Sequence, residues 1–530
     1  MSTALAGTAP LLRTSIKHDG PSFAPWILIA TFLSGSAVLL YPLIFPSQQD
    51  RAGLAAAVGG NPAIGLIFGP VFDLSTNDGF NAWRSLALGG FIAALGAIFA
   101  VTRATRGQED SGQAELLASG VMGRASRLLA GVGLAFVCSL ALGVTAGVVT
   151  GLCGGDWESS MLLAATFTAT GWMLAAVAAV TAQIGSDLRT ANSLAVGTLG
   201  VLFLLRGFAY AVVAPEWTIW INPLGWMTET RPATGNHWWP LWYALAFTVV
   251  LLGVAFVLQA RRDFGQGAIA PRPGPARGRD RSTWRLVLRL NRGPIITWTV
   301  AFIALGGVFG YFATSITNLL GDNNSVAQVL AAGATTPEAL TSAFLVTILS
   351  LVGIIAAIPG VQIMLKVRTE EMEDRVEPMI ATKVRRQRYF TSNVVLALAA
   401  PAIFLLIAGT LIATLAATAN IGVEFGDVLL QAVATIPAVW TVVAVSVAVI
   451  GARPQIAFAA WLGVLASFGL TLLGPTFKLW DWILAVSPFW HIPNVTTDDA
   501  DWWGLVWISL ITVLFVAIGF VGFRRRDLAR

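Results

Sequence analysis

Charge is what this 530-residue sequence has least of. Asp, Glu, Lys and Arg make up 12% of it, about half the share of a soluble protein, while hydrophobic residues make up 56%. Lysine is scarcer still: Lys17, Lys366, Lys383 and Lys478 are the only ones, and none follows a glycine. The phosphate-cradling loop G-x-x-x-x-G-K-[ST] is therefore excluded, and with it ATP hydrolysis by a P-loop on this chain. Cys138 and Cys153 lie near the two ends of one apolar segment without metal-ligand spacing, so neither a disulfide nor a metal is expected. His18, His237 and His491 are scattered, and Gln183, Gln431 and Gln455 are uncharged. A proton-coupled pump needs a titratable relay in its membrane core, and no carboxylate or histidine chain supplies one here. The first twenty residues hold no compact apolar run with a cleavage site, so no removed signal peptide is expected. The net charge of +5 gives no reason to expect nucleic acid.

What the chain does have is apolar length. Mean hydropathy is +0.73. Windows long enough to cross a bilayer fall near 25–45, 85–102, 127–150, 161–185, 193–213, 240–260, 294–313, 341–365, 393–417, 428–451, 455–473 and 504–523. This predicts an all-α integral membrane protein of twelve spans. With the N-terminus in the cytoplasm, 28 of the 33 Lys and Arg residues fall on the cytoplasmic side. The outer loops keep Arg51, Arg84, Arg231 and Lys478, and Arg206 lies inside a span. Cytoplasmic Lys and Arg set topology, so both termini are expected inside the plasma membrane, next to anionic headgroups.

The chain is written twice. "HWWPLWYALAFTVVLLGVAFVLQARRDF" before the midpoint and "DWWGLVWISLITVLFVAIGFVGFRRRDL" near the end align without a gap. Trp238 and Trp239 match Trp502 and Trp503, and Arg261-Arg262-Asp263 match Arg525-Arg526-Asp527. Any outward-to-inward helix has Trp at one interface and Arg at the other, which explains the residue types but not the identical spacing. The pattern R-x-x-E-x5-E also recurs, as Arg106, Glu109 and Glu115 after span 2 and as Arg368, Glu371 and Glu377 after span 8. Asn222-Pro223 before span 6 parallels Ser487-Pro488 before span 12. The expected organisation is a first six-helix half at 1–263, a Pro-, Gly- and Arg-rich cytoplasmic linker at 264–283 and a second half at 284–530. Six is even, so the halves run the same way and a pseudo-twofold axis along the membrane normal is expected.

Three features of the repeat invite a function. Acidic residues matter little to topology, yet they recur in register in both R-x-x-E-x5-E loops, so each loop is read as a small helix presented to a cytoplasmic partner; the plain alternative is a solvated inner loop. The Trp-dense outer segments before spans 6 and 12, broken by proline, read as an interfacial aromatic belt or as short helices dipping into the outer leaflet. Arg206, mid-span in "LFLLRGFAYAV", must face protein or water, either lining a path or bonded to backbone carbonyls.

Several stretches carry a family likeness. "NPAIGLIFGP" (61–70), "RATRGQEDSGQAELLASGVMGR" (103–124), "LLRGFA" (204–209) and "SPFWHIP" (487–493) occur in an order that resembles the ABC-2 type permeases of the polyketide-antibiotic, tetronasin-type exporter family. The alanine-, glycine- and arginine-rich composition suits an actinobacterial source. The resemblance implies two fused ABC-2 halves exporting hydrophobic small molecules such as polyketide antibiotics and drugs. It implies no cofactor on this chain, with ATP and Mg held by a separate ATPase subunit, expected as a homodimer. That partner would dock on the loops carrying Arg106, Glu109, Glu115, Arg124, Arg368, Glu371 and Glu377. A substrate cavity between the halves is expected to be apolar and aromatic, with Trp172, Phe203, Arg206, Phe208, Trp440, Trp461 and Phe468 as candidates. A proton-coupled secondary transporter, a transferase using Asp498, Asp499 and Asp501, and a regulatory membrane protein are the alternatives.

Overall fold

The computed structural model describes residues 5–59, 65, 67–118, 123, 125–211, 214–262, 267–268, 282–314, 337–381, 384–418, 423–473, 480–495 and 500–526. Among these, the ordered elements are all helical, and twelve helices are long and apolar enough to cross a membrane. They are span 1 (Gly20–Ile44), span 2 (Asn77–Asp110), span 3 (Ser126–Leu152), span 4 (Trp157–Ile184), span 5 (Leu188–Tyr210) and span 6 (Pro240–Arg261), then span 7 (Thr283–Tyr311), span 8 (Leu345–Met372), span 9 (Arg386–Thr418), span 10 (Phe425–Ala452), span 11 (Pro454–Thr471) and span 12 (Trp503–Arg525). This is an all-α, multi-pass membrane protein. Two compact units, Met1–Gly274 and Pro275–Arg530, each contain six of the spans. Most of the expected linker, together with Asp263, Asp527, Asp498 and Asp499, lies outside the described residues.

Span starts are fixed by local chemistry. The Thr76 hydroxyl caps span 2 by accepting from the Gly79 amide at 3.0 Å, and the Asp156 carboxylate caps span 4 by accepting from Ser159 N–H at 2.9 Å. Pro240 opens span 6 at a position where its missing N–H costs nothing.

Each unit is built around one central helix. Span 4 packs against spans 2, 3, 5 and 6; span 10 packs against spans 8, 9 and 12. In lipid the helices gain little from burying apolar surface, so close approach of small residues is what holds them. Span 12 crosses span 10 at Gly519, where an added Cβ would lie 2.6 Å from the Val447 carbonyl oxygen, and at Gly522, against Ala452. In the first unit Gly143 and Gly147 of span 3 sit against Ala164 of span 4 in the same manner.

An amphipathic helix, Thr8–His18, precedes span 1 and lies along span 3, with Leu12 over Gly133. The Trp-dense segments contain short helices, Glu216–Ile221 and Pro223–Thr228 in the first unit and Asp481–Leu484 and Pro488–His491 in the second. Asn222 and Ser487, the paired residues of the repeat, are the N-caps of the proline-led helix in their respective units. Gln431 of span 10 ties the later segment down: its amide donates to the Pro493 carbonyl at 3.0 Å and accepts from Val495 N–H at 2.9 Å.

Candidate functional site

The R-x-x-E motifs lie on helix rather than loop. Span 2 does not end with its apolar stretch. It passes through a π-helical turn, Arg103–Gly107, and resumes over Gln108–Asp110. Span 8 is part of a helix that continues to Met372. In both units the chain then turns through a left-handed residue, Gly112 (φ 75°) and Asp374 (φ 56°), which are 262 positions apart like the motifs themselves. A short helix follows each turn, Gln113–Ala118 and Glu377–Ile380. Left-handed backbone is the common way to stop a helix, and Gly and Asp reach it at lowest cost. Each motif is therefore an elbow of helix, left-handed stop and short helix.

The elbow carboxylates divide into two kinds. The Glu109 side chain is 5% exposed and the Glu371 side chain 2%. Glu109 accepts from Arg106 Nη1 at 2.9 Å and from Arg262 at 2.7 and 3.2 Å, and Arg127 approaches to 3.4 Å. Arg106 is itself buried and donates through Nε to the Ala182 carbonyl of span 4. In the second unit Arg526 grips both oxygens of Glu371 at 2.6 and 2.9 Å, with Arg368 at 3.8 Å. Arg526 Nε also donates to the Gly451 carbonyl at 3.0 Å, and its own carbonyl accepts from Arg386. The Arg386 and Arg526 guanidiniums lie over the Phe523 ring at 5.1 and 5.0 Å. The carboxylate of each R-x-x-E thus meets the second arginine of the R-R-D from its own half. Breaking a buried pair of this kind costs about 3–5 kcal/mol, because the remaining charge is left stranded.

Glu109 and Glu371 were expected among groups that dock a partner. Their side chains instead face inward, since three arginines and two arginines respectively draw them into the bundle. Glu115 and Glu377, on the short helices, are exposed. Arg124 lies outside the described residues.

The two elbows are not copies. Where the first unit has Gln108 and Arg127, the second has Glu370 and Tyr389, and the Tyr389 hydroxyl donates to Glu370 at 2.7 Å. The first elbow also reaches the turn between spans 4 and 5, because Asp110 accepts from Leu188 N–H at 2.7 Å. In that turn burial pushes the Asp187 carboxyl up, but hydrogen bonds from Thr190 and Ser186 outweigh it and hold the group below the usual carboxylate range.

The candidate path residues are scattered. Trp172 stacks on Phe136 and donates to its carbonyl at 3.2 Å. It lines an apolar groove of about 530 Å³ on the first unit, together with Gly143, Ala164, Thr168, Trp238 and Trp242. Arg206 is 3% exposed; it lies 4.7 Å over the Phe203 ring and donates to the Ile67 carbonyl at 2.6 Å. It therefore meets a backbone carbonyl, the structural one of its two readings. Phe203 packs edge-on against Phe91, whereas Phe208 is exposed. In the second unit Trp440 donates to the Leu398 carbonyl, Trp461 packs on the core and Phe468 is exposed. Among the described residues no group of three His, Cys, Asp or Glu is arranged to hold a metal.

Sequence reasoning found both halves of the ion pairs but not that they meet. The available signal was charge: an acid and a base recurring at nearly the same offset. It missed Trp238 and Trp242 as groove residues, since Trp238 reads as an interface anchor and Trp242 has no counterpart signal in the repeat.

Comparison with known proteins shows a family relationship. The chain is 34% identical to the multidrug efflux system permease protein Rv1217c of Mycobacterium tuberculosis (strain ATCC 25618 / H37Rv), over 98% of its own length and 95% of the relative's. The family model described as the C-terminal domain of the multidrug efflux system permease Rv1217c matches residues 36–258 and 281–524, one segment in each unit. On that coverage, the chain belongs to the multidrug efflux system permease family.

Proposed function

We propose that this protein is the membrane subunit of an ABC-2 type exporter that moves hydrophobic compounds, polyketide antibiotics and drugs among them, out of an actinobacterial cell. Its energy comes from a separate ATPase subunit, a homodimer holding ATP and Mg at the arginine-rich ends of the spans. That end faces the cytoplasm, with both termini inside the plasma membrane, and the tryptophan-rich end faces out.

The observation that carries this reading is the pair of elbows. Each presents an exposed glutamate, Glu115 or Glu377, three residues beyond a left-handed stop at the arginine-rich end. A chain without a P-loop but with a matched charged elbow in each half is built to receive work from a two-fold partner. The relative's name as a multidrug efflux permease supports export of more than one drug. The groove formed by Trp172, Trp238 and Trp242 contains no charged side chain, which suits apolar cargo.

The test is co-purification of the chain with an ATPase encoded beside it, followed by ATP hydrolysis in proteoliposomes. Cargo should raise hydrolysis several-fold. Drug movement by the purified chain alone, or movement abolished by collapsing a proton gradient while ATP is present, overturns the proposal.

A further inference from the structure

We propose that Glu109 and Glu371 are transmission residues, each locking the foot of the last span in its half to the elbow, so that movement of the elbow is delivered along span 6 or span 12. The proposal rests on the reading that a partner engages the elbows. It differs from docking, because carboxylates this enclosed cannot meet another protein.

Four observations carry it. The same connection is made twice, across 153 residues in the first unit and 155 in the second. Arg262 grips Glu109 with two nitrogens, Nη1 and Nη2, one on each oxygen, a fork that resists rotation as well as separation, whereas Arg526 reaches both oxygens of Glu371 through Nη2 alone and is held in place by its Nε on the Gly451 carbonyl. The lock sits next to the lever, since the stops at Gly112 and Asp374 lie three residues beyond Glu109 and Glu371, and the exposed glutamates three residues beyond those. Finally, the locked span is a rigid rod. Span 6 has 22 residues, about 33 Å of helix, and the far part of that rod bears Leu241, Trp242 and Leu245 on the groove. The lock is therefore made by the C-cap residue of the same helix that contributes to the groove wall. In the second unit the rod is coupled further, because Arg526 also holds Gly451 of span 10, the helix that Gly519 touches.

The wiring predicts unequal halves. Glu109 shares three arginines, whereas Glu371 depends on Arg526, with Arg368 at 3.8 Å. Loss of Arg526 should uncouple more severely than loss of Arg262.

The first arm of the test needs no ATPase. A 19F label introduced through Trp242→Cys, in a Cys138→Ala/Cys153→Ser background, reports the groove wall in the purified permease. Glu109→Gln and Arg262→Gln should each shift its resonance in the same direction, and the double variant should shift it no further than the larger single. An unmoved resonance, or additive shifts, overturns the proposal. The second arm uses the reconstituted complex. Glu371→Gln and Arg526→Gln should co-purify with the ATPase at wild-type stoichiometry yet lose at least tenfold of cargo-stimulated hydrolysis, again without additivity in the double variant. Full stimulation, or loss of co-purification, overturns it. If the wild-type chain binds no ATPase, the functional reading fails while the first arm still decides the lock.

Discussion

At the scale of single residues, the buried polar side chains of this protein mostly serve backbone. Arg206 is the clearest case: its guanidinium donates to the Ile67 carbonyl at 2.6 Å. Arg206→Leu would remove this charge-assisted hydrogen bond to a partly buried carbonyl, at a cost of about 1–3 kcal/mol. The expected result is a lower thermal midpoint in detergent and faster proteolysis near residues 65–70, whereas Arg206→Lys should recover part of the loss. Asp156 offers a second test. Hydrogen bonds from the Ser159 amide and hydroxyl hold its carboxyl below the usual range. A group depressed in the folded state stabilises above its unfolded pKa, and that contribution is lost as pH falls through the folded value. Asp156→Ala should therefore cost about 1 kcal/mol near neutral pH. The gap between variant and wild type should narrow as pH falls below about 4, as thermal melts across pH would show.

At the scale of elements, the left-handed stops and the glycine crossings are the points of least tolerance. An added Cβ at Gly112 meets no atom within 4 Å, so Gly112→Ala isolates the backbone penalty, about 1–2 kcal/mol. Gly112→Asp should cost less, because Asp374 occupies the equivalent turn. Gly519→Leu is a different test: the side chain would be driven into the Val447 backbone, and span 12 would separate from span 10. Loss of folded yield on size exclusion is expected, while Gly253→Leu, which faces open space, should be silent.

This scale also shows how much could be read beforehand. Hydropathy located all twelve spans, because a 20-residue apolar run in lipid has little choice but helix. It ended span 2 near 102 and span 8 near 365, while the helices run on to Asp110 and Met372. The extra turns are polar, and it is tertiary pairing of Glu109 with Arg262 and of Glu371 with Arg526, invisible to any local window, that keeps them wound. The repeat pointed to the right positions at both ends of each ion pair. Periodicity carries no information about contacts 153 residues apart, so the pairing itself became visible only in three dimensions.

At the scale of the whole molecule, orientation and partnership are the open measurements. Single cysteines placed by Glu115→Cys and Trp217→Cys in a cysteine-free background should react with a membrane-impermeant maleimide from opposite sides of intact cells. Position 115 should label only after the membrane is opened. Charge reversal at both exposed elbow residues, Glu115→Lys with Glu377→Lys, should weaken ATPase co-purification at least tenfold without lowering the yield of the permease. The buried glutamates should behave in the opposite way, with attachment kept and coupling lost.

The long sequence separation inside each lock has a consequence for how the protein is made. At roughly 5–20 residues per second, the ribosome needs on the order of 10–30 s to travel from Glu109 to Arg262, and a similar time from Glu371 to Arg526. In the second half Glu371 waits throughout that interval for Arg526, its nearest counter-charge, whereas in the first half Arg106 and Arg127 are in place long before Arg262. Each lock can therefore close only once the last span of its half has been made.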